Sequence, residues 1–306
     1  MSLLKDLKLK YYTATIVERL IAINVVVFVL FFLLKTLAFL FKLPEDFADE
    51  WFVFPKEVAE YIYKPWTIIT YAFMHAGFLH LLFNMIILHF SGRIFITYFP
   101  RKRIVTVYLL GGIMGALVYM LSYNLFPAFG DIGASVLIGA SASVMAIFLV
   151  VATYAPNLSI RLFFLGNIKL WWIAAFFVIS DIVQIPMSNA GGHLAHLGGA
   201  LFGYMYAAQL QKGNDIGASF EKLLDGIVGL FKPSKKSPLK TVHKTKKSKQ
   251  TARTTSNTKI KTQTAAKSTK SGQQQKIDAI LDKISKSGYE SLTKEEKDFL
   301  FKVGKE

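Results

Sequence analysis

Apolar residues in this chain do not alternate with polar ones. They gather in six long runs: Ile16–Phe41, Phe78–Phe95, Ile104–Phe126, Ile138–Tyr154, Ile168–Ile185 and Leu194–Leu210. A helix needs about 20 residues to cross the hydrocarbon core of a bilayer; the first and third runs exceed that length and the others come within a few residues of it. The pattern predicts an all-α, polytopic membrane protein with a six-transmembrane-helix bundle. The fourth run is short and opens on small residues, so its head is expected below the membrane surface, in a cavity shared with water.

After the sixth run the pattern changes. Phe220, Leu223, Leu224, Ile227, Val228, Leu230 and Phe231 form an amphipathic stretch suited to a membrane surface. A Lys-, Ser-, Thr- and Gln-rich segment follows, with a disordered composition. Order returns near Lys276: Ile277, Ile280, Leu281 and Ile284 keep helical spacing, and Thr293 and Glu296 form a capping box opening a second helix. Three regions are therefore expected: a membrane domain over 1–212, a linker over 213–275 and a small helical hairpin over 276–306.

Composition supports the membrane reading, with 53% hydrophobic residues and a mean hydropathy of +0.39. There is no cysteine, which excludes disulfides and thiolate metal sites. The net charge of +16 belongs to one place. From Lys232 to Lys276 there are thirteen Lys and one Arg with no acid, and without them the charge is +2. Such a run is drawn to anionic lipid. No folded reader or interleaved aromatic residue accompanies it, so no nucleic-acid partner is expected.

Lys and Arg flanks orient the spans. Lys5, Lys8, Lys10 and Arg19 precede the first; Arg93, Arg101, Lys102 and Arg103 lie between the second and third; Arg161 and Lys169 lie between the fourth and fifth; Lys212 follows the sixth. The alternate loops are acidic or uncharged. Both termini are thus expected in the cytoplasm of a cell with an inner membrane, and the first run reads as an uncleaved anchor.

The fourth and sixth runs then start from the same face. Ser141 lies near the start of one and His196 near the start of the other, at similar depth. A serine hydroxyl becomes a nucleophile when a base takes its proton, and an ionisable residue inside a span marks a functional site. Taken alone, Ser141 fits a small residue at a helix interface, and Gly199 and Gly203 fit an ordinary GxxxG contact. Together they bring a base to a nucleophile. His193, one turn nearer the outside, is the other candidate base. His80 and Asn84 share a helical face in the second run and suit an oxyanion site beside the Ser141 backbone N–H. His89 lies about 180° from His80 around the helix and faces elsewhere. Asp181, a carboxylate in the fifth run, either orients a histidine or bonds a neighbouring helix, the second being favoured. No Glu or Asp lies near His80, so neither a metal nor another cofactor is expected.

These residues resemble the rhomboid family of intramembrane serine proteases, of the bacterial six-span type with a short C-terminal helical module. Gly139-Ala-Ser141-Ala is similar to its GxSG, Ala195-His196-Leu-Gly-Gly199 with Gly203 to its AHxxG…G, and His75-Ala-Gly-Phe-Leu-His80-Leu-Leu-Phe-Asn84 to its HxxxxHxxxN. Trp66 matches a Trp of the family's first loop. The resemblance covers roughly residues 10–212. It implies a Ser141–His196 dyad, an oxyanion hole from Asn84, His80 and the Ser141 N–H, and single-pass transmembrane proteins as substrates, cut near the outer face of the bilayer. Lys42–Gly77 becomes a partly embedded loop. Ala142, Met145 and Thr67 stand where the family usually has glycine, an aromatic residue and arginine, and the Glu usual after the second span is absent, with Arg93 nearby. Two other functions remain in view: an inactive rhomboid-like protein that binds membrane proteins, and a transporter relaying protons through its histidines and Asp181.

Overall fold

The structure is a computed structural model describing residues 5, 8–9, 12–44, 49–131, 133, 135–162, 166–231 and 272–303. It divides into two compact units, Met1–Lys236 and Ser237–Glu306. Most of the basic run lies outside the described residues.

Six helices build the first unit's membrane part: α1 (Ile16–Leu40), α2 (Phe78–Tyr98), α3 (Arg103–Leu125), α4 (Ser141–Tyr154), α5 (Leu170–Gln184) and α6 (Ala190–Gln211). Each falls on one of the six apolar runs. The chain is a polytopic, all-α membrane protein, with 76% of the described residues helical. Among the described residues α1, α2 and α3 are long and apolar enough to cross a bilayer. Helices α4 and α5 have only 14 and 15 residues. At 1.5 Å per residue, α4 is about 21 Å long, short of the ~30 Å hydrocarbon core. At least one of its ends must therefore lie inside the hydrocarbon zone.

Helix α1 starts with a capping box: the Glu18 N–H donates to Thr15 Oγ1, and the Thr15 N–H donates to Glu18 Oε2 at 2.6 Å. Its outer face, with Val26, Phe32, Leu33 and Phe39 exposed, is the kind of surface lipid covers. The core is formed where α4 packs against α6, α3 and α2. Small residues allow this closeness. A Cβ on Gly199 would lie 2.1 Å from the Ala142 carbonyl oxygen, and one on Gly203 would lie 2.3 Å from that of Ala146. The GxxxG pair thus seats α6 directly on α4. On the other side of α4, the Ala142 methyl lies 2.5 Å from where a Gly115 Cβ would stand. Gly115 leaves space for the methyl that Ala142 carries in place of glycine.

Between α1 and α2, residues 49–77 are anchored rather than loose. β1 (Phe54–Pro55) pairs antiparallel with β2 (Val136–Leu137), which leads into Ser141. Tyr71 accepts the Gly139 N–H at its carbonyl, 3.1 Å away, and donates its hydroxyl to Gly112 O at 2.7 Å. Trp66 stacks on Trp51, with ring centroids 6.3 Å apart, and its indole N–H donates to Trp51 O. Where the family usually has arginine, Thr67 is buried and donates to Lys64 O. The nearby cation is Lys64, 5.3 Å from the Trp51 ring and paired with Glu60. A hairpin of β3 (Ser159–Leu162) and β4 (Gly166–Lys169) joins α4 to α5.

After α6, helix α7 (Ala218–Phe231) turns its polar side to the α2–α3 connection. Lys102 pairs with Glu221 and Asp225, and Arg103 with Asp215. Glu221 first, and then Asp225, raise the pKa of Lys102. Leu223, Ile227 and Leu230 stay exposed along one side. In the second unit, α8 (Gly272–Ser287) and α9 (Lys294–Val303) form the expected hairpin, with Ile280 and Leu292 buried. The expected capping box is present: the Thr293 N–H donates to Glu296 Oε2 at 2.8 Å, and the Glu296 N–H to Thr293 Oγ1 at 3.4 Å.

Candidate active site

Ser141 is the first residue of α4. The segment before it must turn sharply, and Gly139 takes φ +130°, which side-chain-bearing residues rarely adopt. A Cβ there would also collide with the His80 ring, 2.7 Å from Cε1. That point is 3.6 Å from Ser141 Oγ and 2.9 Å from His80 Nε2, so both groups flank Gly139.

Two cavities meet at Ser141. One, of about 530 Å³, is lined by His80, Asn84, Ser141 and His196. The other, of about 290 Å³, is lined by Asn84, Ser141, Met145, Asp181, His193 and His196. All four residues singled out from the sequence thus border one space. His196 borders both cavities with Ser141, whereas His193 borders only the second. His89 is exposed and does not line either cavity.

Asn84 donates one amide N–H to the His80 carbonyl at 2.8 Å. Its amide has two N–H groups, so one stays free for an oxyanion. The start of α4 adds backbone N–H groups without intrahelical partners, with the positive end of the helix dipole. No hydrogen bond joins Ser141 to His196 in this conformation. Catalytic hydrogen bonds often tighten only once substrate is bound.

His196 is held instead from behind. Its Nδ1 lies 2.9 Å from Asp181 Oδ1, and His193 Nδ1 lies 2.8 Å from the same oxygen. Asp181 and both histidines are at least half-buried in α5 and α6. Asp181 does bridge two helices, as favoured from the sequence, but its partners are the histidines themselves. Their signal was His193 and His196 at i,i+3, which puts both on one face. The three residues also offer ligand atoms within 4.8 Å of one another, a set that could hold a metal ion and was not foreseen. Two imidazoles and a carboxylate suit a divalent transition ion.

Ser141 at the start of α4 and His196 on the neighbouring α6 thus border the same cavities of a helical membrane protein. Residues 63–212 match the family described as the Rhomboid domain, and the chain is a member of the rhomboid family. Residues 266–305 match a family of unknown function (DUF6576). The chain is 29% identical to RHOMBOID-like protein 12, mitochondrial, of Arabidopsis thaliana, over 48% of this chain and 47% of that protein. It is 30% identical to Presenilin-associated rhomboid-like protein A, mitochondrial, of Danio rerio, over 44% of this chain and 35% of that protein. The chain thus spans less than half the length of these two relatives. Both are named as mitochondrial, which overturns the expected bacterial cell (inner) membrane with cytoplasmic termini. A multi-pass membrane protein remains the reading.

Proposed function

We propose that the chain is an intramembrane serine endopeptidase, with Ser141 as nucleophile and His196 as general base. The supporting observation is that both line the same two cavities, which Asn84 also lines. In this reading His196 takes the Ser141 proton as Oγ attacks a substrate carbonyl. Asn84, the Ser141 N–H and His80 then face the developing oxyanion. His196 returns the proton to the leaving amine, and a water repeats the sequence on the acyl-enzyme. Substrates are single-pass transmembrane proteins cut near a bilayer boundary, where a helix can unwind to expose its peptide bond. The regions beyond the membrane domain add a lipid contact: α7 offers an apolar stripe, and the basic run after it attracts anionic headgroups.

The open Ser141–His196 geometry favours a second reading, an inactive relative that binds membrane proteins without cutting them. A mechanism-based serine probe decides. Labelling of the wild type that disappears in Ser141→Ala, with matching cleavage of a transmembrane substrate in detergent, supports the protease. Binding of the substrate without labelling or cleavage supports the alternative.

A further inference from the structure

We infer that Asp181 is a positioning residue for His196, and that His193 is the second group that fixes Asp181 in place. The inference rests on the protease reading and deepens it, since the Ser–His pair of that reading has no third member.

An ionised carboxylate only accepts hydrogen bonds. Asp181 Oδ1 faces two Nδ1 atoms, at 2.8 Å from His193 and 2.9 Å from His196. Each Nδ1 must therefore carry its proton. For neutral His196 this leaves Nε2 bare, the form able to accept a hydroxyl proton. The other tautomer would bring a lone pair against the carboxylate and leave no acceptor for the serine. Asp181 thus selects the working tautomer as well as the ring orientation.

The position of His196 needs this support. Met145 lines the cavity beside His196. A flexible thioether is a poor clamp for a ring. The hydrogen bond from α5 supplies the restraint. His193 completes it. Its bond to the same oxygen crosses the turn between α5 and α6, where Asn189 adopts a left-handed conformation, φ 47°, and accepts the Gly192 N–H. Two bonds from successive turns of α6 hold one oxygen of α5, so the carboxylate that orients His196 is itself tied down by His193.

The test uses the full chain in detergent and a transmembrane substrate. Asp181→Asn can donate its amide to Nδ1 and stabilise the wrong tautomer, so kcat should fall on the order of 10–100-fold, with KM nearly unchanged. Asp181→Glu should recover part of the loss. His193→Ala should lower kcat less than Asp181→Asn. Nitrogen-15 spectra of labelled wild-type protein should show His196 protonated at Nδ1 and bare at Nε2, a readout that needs no variant to fold. Wild-type kcat in Asp181→Asn, or a His196 proton on Nε2 in the wild type, overturns the inference. A wild type that neither labels at Ser141 nor cleaves defeats the protease reading instead.

Discussion

Gly199→Ala is the sharpest probe of how helix packing builds the site. The added methyl would sit 2.1 Å from the Ala142 carbonyl oxygen and 2.8 Å from its carbonyl carbon. Those atoms are backbone, so no side chain can rotate away. Restoring van der Waals separation requires α6 to retreat from α4 by about 1 Å. The cost of such overpacking is about 1–3 kcal/mol. The functional cost should be larger. His196 lies one turn before Gly199 and moves with it, while Ser141 stays on α4. A misplacement of about 1 Å can cost 10²-fold in rate. The assay combines thermal unfolding with the rate of serine-probe labelling. Gly226→Ala in α7 is the control, since nothing lies within 4 Å of its Cβ. Labelling and melting at wild-type values in Gly199→Ala would refute the argument that α6–α4 contact sets the Ser141–His196 geometry.

Other predictions concern separate parts of the chain. Gly139→Ala forces a side chain into φ +130° and against His80; it should cost about 1–3 kcal/mol and slow probe labelling, both read on one sample. Glu221→Gln removes the carboxylate paired with Lys102 and should lower hydrogen-exchange protection across residues 218–231 by about 2–5-fold; unchanged protection would show that other contacts hold α7. In the C-terminal hairpin, the Lys283 ammonium, with the Thr293 N–H, holds the Glu296 carboxyl below its ordinary value of 4.5. A depressed value stabilises the fold above the unfolded value and loses that support as pH falls through the folded one. Protection of residues 294–303 should therefore drop below about pH 4.5, and Glu296→Gln should remove that pH dependence.

The spans were legible because a long apolar run has few other uses, and six runs became six helices with ends shifted by a few residues. The capping boxes depend on local chemistry, so Thr293 and Glu296 could be read directly. Ser141, His196, His80 and Asn84 were found by type and helical spacing, and they do border a common space. Asp181 was read as a helix bridge, but which residues it bridges to was not: they lie beyond a turn whose path depends on the left-handed Asn189, which spacing cannot supply. The β1–β2 pairing was invisible, since two residues carry no period. The hairpin of β3 and β4 was missed for another reason: Arg161 and Lys169 mark that stretch as a charged connection.

The order in which the parts occur along the chain bears on its synthesis. On the proposed reading, the nucleophile enters the membrane with α4, its brace follows on α5, and the base arrives last on α6. A growing chain that has inserted only the earlier spans holds a serine hydroxyl without His196, the base of that reading. Neighbouring proteins in the same insertion machinery are exposed to an inert precursor, and hydrolytic capacity begins only when α6 closes onto Ala142 and Ala146. Membrane insertion of the final helix would then serve as the activating step.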